Sequence, residues 1–282
     1  MSRKQYEVLQ WASSFLEANN REARVAEILL QHHLGLTRTE FLMQMREPLP
    51  DDVVAALEQD VDKHVETGVP VQHLTGYEVF WGREFTVNPH VLIPRPETEE
   101  LIQHILRTNQ MERPVIVDAG TGSGVIAITL ALELEHAEVY ATDISPQALE
   151  TAKTNAANLE ADVHFLQGDF LKPVLDQGIK ADIIVSNPPY ISEAEADDLS
   201  DTVRNFDPEL ALFAEEQGLA AYQKLASQAD VLLSQGGLLV FEIGHQQGEA
   251  VQQIIKGNFP PAETAVIQDI NGKDRIVTAT IK

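Results

Sequence analysis

The apolar positions of the chain change their spacing near residue 70. Before that point they recur every three or four residues, which is the spacing of a helix with one apolar face. Residues 8–16, 25–29 and 54–65 show this pattern, and glycine and proline residues separate them. We therefore expect a small helical domain over residues 1–72. Its predicted role is substrate recognition rather than chemistry, because it holds no cluster of reactive side chains.

Shorter apolar pieces follow, with turn residues between them. Residues 77–80, 85–87 and 91–93 are strand-like and lie between glycines and prolines. This pattern predicts a β-hairpin linker over residues 73–95. The next helical pattern begins after Glu97 and Glu99, and acidic residues in a first turn indicate a helix start.

Five strand-like segments alternate with helical patterns beyond residue 113. They are residues 115–117, 137–142, 163–166, 183–185 and 238–241. This alternation predicts an α/β domain over residues 96–282, built on a parallel, doubly wound sheet with ligands at the carboxyl ends of its strands. Near the C-terminus the turn Asp269-Ile270-Asn271-Gly272 separates two apolar runs, which predicts a hairpin and therefore an antiparallel edge, since Asn-Gly is a favoured two-residue turn.

A glycine-rich turn follows the first of these strands and precedes a helix. Its sequence is Asp118-Ala119-Gly120-Thr121-Gly122-Ser123-Gly124. Glycines allow the backbone to approach a ligand closely, and the N-terminus of a helix offers unpaired N–H donors. The spacing differs from the dinucleotide fingerprint, and no lysine follows as in a phosphate-binding loop. Taken alone, the turn fits a ligand site or a purely structural turn.

Acidic residues end the next two strands. A carboxylate at Asp143 is placed to accept hydrogen bonds from both ribose hydroxyls of an adenosine, and the alternative is a helix cap beside Ser145. Asp169-Phe170 offers an acceptor for the adenine amino group and an aromatic cover for the base, and the alternative is an ordinary turn with a core Phe. Together with the glycine-rich turn, Asp143 predicts a nucleoside-cofactor site.

The fourth strand ends in Asn187-Pro188-Pro189-Tyr190. Two prolines exclude a helix or a strand here and hold the carbonyls of Asn187 and Pro188 in a rigid extended turn. A side-chain carbonyl and a fixed backbone carbonyl accept both hydrogens of a planar –NH2 group, and Tyr190 is placed to stack on the attached π-system. We therefore predict catalytic roles for Asn187, Pro188 and Tyr190, and substrate contacts for all four residues.

Charge and composition restrict the function further. The chain has 282 residues, 44 acidic against 20 basic residues, a net charge of -24 and no cysteine. An acidic surface repels phosphate backbones and anionic lipids, so we expect no direct nucleic-acid or membrane partner. The absence of cysteine excludes thiolate chemistry, and the nine histidines show no metal-ligand spacing. With no secretory signal in residues 1–11, the expected location is the cytoplasm.

The motifs together resemble those of class I S-adenosylmethionine-dependent methyltransferases that act on planar amino groups. Over nearly the whole chain the sequence is similar to the peptide chain release factor glutamine methyltransferases, the PrmC/HemK family. Besides the Asn187 motif, the segments that carry this resemblance are residues 70–76, 80–82, 91–99, 206–212, 242–244 and 269–275. The Pro-Arg-Pro-Glu-Thr-Glu run within residues 94–99 is the most specific of them.

The resemblance implies a Rossmann-like methyltransferase sheet and methylation of the glutamine amide in the Gly-Gly-Gln motif of release factors, with S-adenosyl-L-methionine as cofactor and S-adenosyl-L-homocysteine as product. The cofactor contacts it implies are Gly120, Thr121, Gly122, Ser123, Gly124, Asp143, Phe170 and Asn187. Two residues depart from the family pattern, His73 where Tyr is usual and Phe170 where Trp is common. These departures bear on local packing and on adenine stacking, not on the type of reaction.

Two other functions stay open at this point. An adenine-N6 or guanine-N2 nucleic-acid methyltransferase also has to hold a planar amino group, but the shortage of cations disfavours it. A non-catalytic adaptor of the translation machinery would not need an intact Asn187.

Overall fold

The computed structural model describes residues 3–282, without the side chain of Asp198, so the first two residues of the N-terminal segment lie outside it. The chain forms two compact units. The first contains the residues up to Tyr77 and, from much later in the chain, Ser200–Phe206. The second contains Glu78–Leu199 and Asp207–Lys282.

The first unit is helical, as its apolar spacing predicts. Its helices are α1 (Gln5–Ala18), α2 (Arg24–Leu34), α3 (Arg38–Met43), α4 (Asp51–Thr67) and α5 (Val71–Thr75). The expected three helices are α1, α2 and α4. Helix α3 was not predicted, although its start has a capping box in which the Glu40 carboxylate accepts from Thr37 N and Oγ1 at 2.9 and 2.6 Å.

Buried apolar side chains from α1 to α5 form one core in the first unit. The fully enclosed residues include Leu16, Leu29, Phe41 and Leu57. The distant segment Ser200–Phe206 is tied to this unit by an ion pair of 2.9 Å between Arg21 and Asp201. Sequence spacing contains no signal for this attachment, because it joins residues 180 positions apart.

The second unit is an α/β domain, which confirms the predicted fold class. Its strands are β1 (Tyr77–Phe80), β2 (Arg83–Thr86), β3 (Val115–Ala119), β4 (Glu138–Asp143), β5 (His164–Gln167), β6 (Ala181–Ser186), β7 (Leu233–Glu242), β8 (Glu263–Gln268) and β9 (Asp274–Thr280). Strand β1 begins on the last residue of the first unit, and β1 and β2 form a separate two-stranded sheet. The other seven form one sheet in the order β5-β4-β3-β6-β7-β9-β8.

Helices cover both faces of the seven-stranded sheet. The α-helices of this unit are α6 (Glu97–Thr108), α7 (Val125–Glu133), α8 (Pro146–Asn158), α9 (Lys172–Asp176), α11 (Glu209–Leu212), α12 (Glu215–Gly218), α13 (Ala220–Leu232) and α14 (Gly248–Asn258). Helix α10 (Asp201–Phe206) belongs to the first unit, and Glu193–Asp198 is a 3-10 helix. One core packs α13 and α14 on the sheet, with Tyr222 and Ile255 among its members. The other packs α6 and α7, with Leu101 and Ile128.

Strands β3 to β7 pair in parallel, and β9 pairs antiparallel with β7 and with β8, as the sequence predicts. The predicted turn over residues 269–272 is present, but Asn271-Gly272 does not form the two-residue loop that this pair favours. Five residues connect β8 to β9, and the backbone closes through Asp269 N to Lys273 O and Gly272 N to Asp269 O, both 2.8 Å. Only Gly272 of the Asn-Gly pair has positive φ, and the favoured two-residue turn requires it at both.

Two shorter segments also differ from the strand-like pattern. Val71–Thr75 is the helix α5, because its apolar residues pack on the core of the first unit. Residues 91–93 form no strand. The amide of Ile93 lies 3.4 Å from a side-chain oxygen of Asp207 instead of pairing with a neighbouring strand. None of the helices in residues 3–282 is long and apolar enough to span a membrane.

We predict that Gly124→Ala destabilises the protein by about 2–4 kcal/mol, the sum of a left-handed conformation for a non-glycine residue and of overpacking. Gly124 has φ +86°, and a Cβ atom there would lie 2.7 Å from Ile128 Cδ1 and 3.1 Å from Ala152 Cβ. Urea unfolding followed by circular dichroism measures the change. The control is Gly257→Ala, because nothing lies within 4 Å of a Cβ at that position. Equal stability of the two variants would contradict the packing argument.

Candidate functional site

A cavity of about 360 Å³ lies at the carboxyl ends of the central strands of the second unit. The sequence-predicted residues that line it are Gly120, Thr121, Gly122, Ser123, Asp143, Asp169, Phe170, Asn187 and Pro189. The remaining predicted residues, Gly124, Pro188 and Tyr190, belong to the same two turns. The structure therefore brings together motifs that are separated by almost 70 residues in the chain. The volume lies in the usual range for a small-molecule site.

The glycine-rich turn is held against strand β4 by its backbone. The amides of Gly120 and Thr121 both donate to Thr142 O at 2.9 Å, and Gly122 N donates to an Asp143 carboxylate oxygen at 2.9 Å. Behind the turn, the buried Asn155 side chain donates to Ser123 O at 2.8 Å. These bonds order the loop before any ligand enters, which lowers the entropy cost of binding.

Asp118 begins this turn and is completely buried. One of its oxygens accepts from Thr121 Oγ1 at 2.6 Å and from Ala127 N at 3.2 Å, whereas Oδ1 has no hydrogen-bond partner among the described residues. Burial raises the pKa of Asp118 to about 7, although both hydrogen bonds favour the ionised form. The carboxyl group supports the loop from below, and it is not among the residues that line the cavity.

Asp143, at the end of β4, lines the cavity directly. Besides Gly122 N, its carboxylate accepts from Ser145 N at 2.9 Å, and Ser145 caps helix α8 with its own hydroxyl. Each carboxylate oxygen has more than one lone pair, so both keep acceptor capacity for a ligand. Burial raises the pKa of Asp143, while the backbone donors oppose that rise.

Phe170 lines the cavity from a strained backbone position. Its φ is +48°, in the left-handed region that aromatic residues rarely occupy, and its ring lies 3.8 Å from the position of a Cβ on Gly120. Strain of this kind persists only where the surrounding structure holds it. The neighbouring Asp169 forms an ion pair with Lys224 of α13, which also lines the cavity.

The Asn187 turn stands next to the glycine-rich turn because β6 pairs with β3. Ser186, the last residue of β6, donates its hydroxyl to Ala119 O at 2.5 Å. The side-chain nitrogen of Asn187 donates to Thr98 Oγ1 at 3.4 Å, and Thr98 donates to the buried Glu242 carboxylate at 2.7 Å. Burial raises the pKa of Glu242 to about 7.

Tyr190 ends the turn, and its ring packs against the core of the α13 and α14 face. Its backbone carbonyl accepts from Gln247 Nε2 at 2.9 Å. Gly218 passes so close that a Cβ there would lie 2.1 Å from this carbonyl oxygen. Burial raises the pKa of Tyr190 to about 12, so the phenol is neutral near pH 7.

The two Lys or Arg residues that line the cavity are both ion-paired. Arg95 lies 2.6 Å from Asp207, whose side chain is almost fully buried, and Lys224 pairs with Asp169. A phosphate group would have to compete with a carboxylate for either cation.

Several cavity residues were given no role by the sequence, although Thr98 and Leu210 lie in segments that carry the family resemblance. Thr98, Lys224 and the helical segment around Leu210 come to the cavity from elements far apart in the chain. Asn155 was detectable in principle, because it is a polar residue on the buried, alanine-rich face of α8. Within the described residues, no group of three or more His, Asp or Glu side chains is arranged to hold a metal ion.

Comparison with known proteins agrees with this arrangement. Residues 7–76 match the family model "PrmC N-terminal domain", and residues 96–206 match "Methyltransferase small domain". The release factor glutamine methyltransferase of Bacillus subtilis is 47% identical over 98% of this chain and 97% of its own length.

Two solved structures share the fold of the second unit. A methyltransferase from Pyrococcus furiosus matches 72% of this chain and 90% of its own, with a TM-score of 0.52 and 19% identity. A 16S rRNA methyltransferase from T. thermophilus, in complex with AdoMet and guanosine, matches 73% of this chain and 50% of its own, with a TM-score of 0.52 and 16% identity.

The buried Asp118 predicts a pH-dependent stability. Its pKa is about 7 in the folded protein and returns to about 4 on unfolding. Between these values the unfolded chain has released the proton and the folded protein has kept it. The free energy of unfolding therefore falls as pH rises through this window, by at most about 1.4 kcal/mol per pH unit, and the contribution is constant above it.

Asp118→Asn removes this contribution and keeps an oxygen for Thr121 and Ala127. We expect the stability difference between variant and wild type to shift in favour of the variant from pH 5.5 to 7, and to be level at higher pH. Urea unfolding of both proteins at each pH measures this difference. If the free energies of unfolding of the two proteins changed in parallel over the whole pH range, Asp118 would not titrate in this window.

Proposed function

This chain belongs to the family of release factor glutamine methyltransferases, and on that premise we propose that it methylates the side-chain amide nitrogen of the glutamine in the Gly-Gly-Gln motif of release factors. The observation that carries the proposal is the common cavity. The nucleoside-type elements around Gly120 and Asp143 and the amide-holding turn at Asn187 line the same enclosed space. A reaction between a cofactor and an amide requires this proximity.

The cavity residues fit S-adenosyl-L-methionine. We assign Gly120 to Gly124 to the close approach of backbone to the cofactor, Asp143 to the ribose hydroxyls and Phe170 to the adenine. The Phe170 ring lies 3.8 Å from the position of a Cβ on Gly120, so the glycine-rich turn and this ring border the same part of the cavity. Asn187 is assigned contacts on both the cofactor and the substrate side. When bound, this cofactor supplies a methyl group made electrophilic by a sulfonium sulfur.

The protein's own part in the reaction is to hold the amide. The lone pair of an amide nitrogen is delocalised and therefore a poor nucleophile. The Asn187 side-chain oxygen and the Pro188 carbonyl accept the two amide hydrogens, which directs the nitrogen lone pair out of the amide plane. Because the prolines fix this turn, orientation supplies most of the catalysis. The stacking of Tyr190 on the amide stays a prediction.

The reaction needs no strong base in this cavity. The nitrogen that has gained a methyl group is positively charged and acidic, and it loses a proton to solvent. Tyr190 is unsuited to act as a phenolate base because its pKa of about 12 keeps it protonated. Asp169 is engaged by Lys224. Positioning of the amide is therefore the contribution assigned to this chain.

A protein substrate also fits the charges better than a nucleic acid. The chain is strongly acidic, and the cavity cations Arg95 and Lys224 are both neutralised by carboxylates. Nucleic-acid enzymes obtain much of their affinity from phosphate contacts. We further propose that residues 1–72 recognise the release factor, that residues 73–95 act as a linker and residues 96–282 as the catalytic domain, and that the protein works in the cytoplasm.

The substrate is tested with labelled S-adenosylmethionine. The protein is incubated separately with a purified release factor, its variant with Gln of the Gly-Gly-Gln motif replaced by Ala, tRNA, rRNA and duplex DNA. We expect label in the release factor and none in the Ala variant. Label in a nucleic acid but not in the release factor would overturn the proposed function in favour of an adenine-N6 or guanine-N2 methyltransferase. Absence of label everywhere, with the cofactor bound, would favour the adaptor.

The role of Asn187 is tested by Asn187→Ala. Loss of a positioned hydrogen-bond acceptor should lower kcat by about 10²–10³, while the affinity for S-adenosylmethionine, measured by calorimetry, falls far less, because the other assigned cofactor contacts remain. The matched control is Asn158→Ala, an exposed position at the end of α8. Unchanged turnover in Asn187→Ala would refute the assigned role.

A further inference from the structure

A hydrogen-bond chain lies behind the Asn187 turn and reaches the end of the neighbouring strand. Glu242 is the last residue of β7, which pairs with β6, and only 2% of it is exposed. Its carboxylate accepts from Thr98 Oγ1 at 2.7 Å. Thr98, in the first turn of α6, is also 2% exposed and lies 3.4 Å from the side-chain nitrogen of Asn187.

The direction of these bonds determines which way the Asn187 amide faces. A threonine hydroxyl has a single proton. With Glu242 ionised and that proton donated to its carboxylate, the Thr98 oxygen faces Asn187 only as an acceptor. The Asn187 NH2 group satisfies it, whereas a flipped amide would place two lone pairs against each other. The amide oxygen is thereby left for a substrate, which is the orientation that the proposed chemistry needs.

The end of β7 and the residues after it also hold Tyr190, the last residue of the Asn187 turn. The backbone carbonyl of Glu242 accepts from Tyr222 OH at 2.9 Å, and that hydroxyl lies 3.4 Å from Gln247 Oε1. Gln247 in turn donates to Tyr190 O at 2.9 Å and accepts from Gly244 N at 3.0 Å. Asn187 is thus connected to the end of β7 through Thr98, and Tyr190 is connected through Gln247 to Gly244, two residues beyond that strand.

A purely structural link would not need an acid at this position. Burying a carboxyl group is costly unless partners compensate for the lost water. Thr98 lines the cavity and donates its hydroxyl to the Glu242 carboxylate, so Thr98 connects Glu242 to the cavity. The arrangement instead resembles other sites in which an outer group orients the group that contacts the ligand.

We infer that Thr98 and Glu242 are positioning residues, which hold the Asn187 amide with its oxygen directed to the substrate. The inference rests on the proposed function for its catalytic consequence, but the orientation itself is a property of the free protein. Both residues lie in segments that carry the family resemblance, but the sequence assigned neither of them a role.

The test compares Thr98→Val, which removes the hydroxyl at nearly constant shape, with Thr98→Ser, which keeps it. With a release factor as substrate, we expect Thr98→Val to lower kcat by about 10–100-fold, less than loss of the Asn187 side chain, with little change in KM for S-adenosylmethionine. Thr98→Ser should recover most of the rate. Thr129→Val is the control, because Thr129 is fully buried and its hydroxyl has no partner among the described residues.

An activity-independent measurement separates this inference from the proposed function. In protein labelled with ¹⁵N-asparagine, the side-chain NH2 signals of Asn187 are identified by their loss in Asn187→Ala. We expect them to move in Thr98→Val and to stay in place in Thr98→Ser and Thr129→Val. Unmoved signals in Thr98→Val would overturn the inference even if the release factor is methylated. A wild type that leaves release factors unmethylated would refute the proposed function alone, and these signals would still decide the orientation.

Discussion

Parallel pairing of β3 with β4 on one side and β6 on the other is the constraint on which the candidate site depends. The register places Ala119 beside Thr142, and Asp118 beside Val185 of β6. All three strands therefore end at the same edge of the sheet. The loops that follow these strands, around Gly120, Asp143 and Asn187, meet at that edge although they are far apart in the chain. Parallel strands leave their carboxyl-end loops on one edge, which is where α/β proteins bind ligands.

Burial decides how the polar groups of the site behave. Asp118, Asp143 and Glu242 lie close behind or beside the cavity, and burial raises the pKa of each carboxyl. Each accepts hydrogen bonds from backbone amides or hydroxyls. In such surroundings a fixed dipole acts more strongly than it would in solvent. A group as weakly nucleophilic as an amide benefits most from acceptors that are already in place.

Different parts of the site were predictable to different degrees. Gly120 to Gly124, Asp143 and Asn187 are recognisable because each follows directly on a buried strand, so local order along the chain is enough. The capping box of Thr37 and Glu40, which begins α3, is local in the same way and can be recognised in the sequence. The turn at Asn271-Gly272 shows the opposite case. Asn-Gly locally favours a two-residue loop, but hydrogen bonds between Asp269, Gly272 and Lys273 close a five-residue connection instead.

The sequence by itself determined the alternation of strands and helices, the residues that end each strand, the acidity of the chain and the family to which it belongs. These depend on composition and on neighbours within a few positions. Only the tertiary structure decided that Thr98 and Glu242 stand behind Asn187, that Arg95 and Lys224 are neutralised, and that Ser200–Phe206 joins the first unit. Those contacts join residues between 50 and 180 positions apart, and no periodicity along a chain encodes which distant side chains will share a buried space.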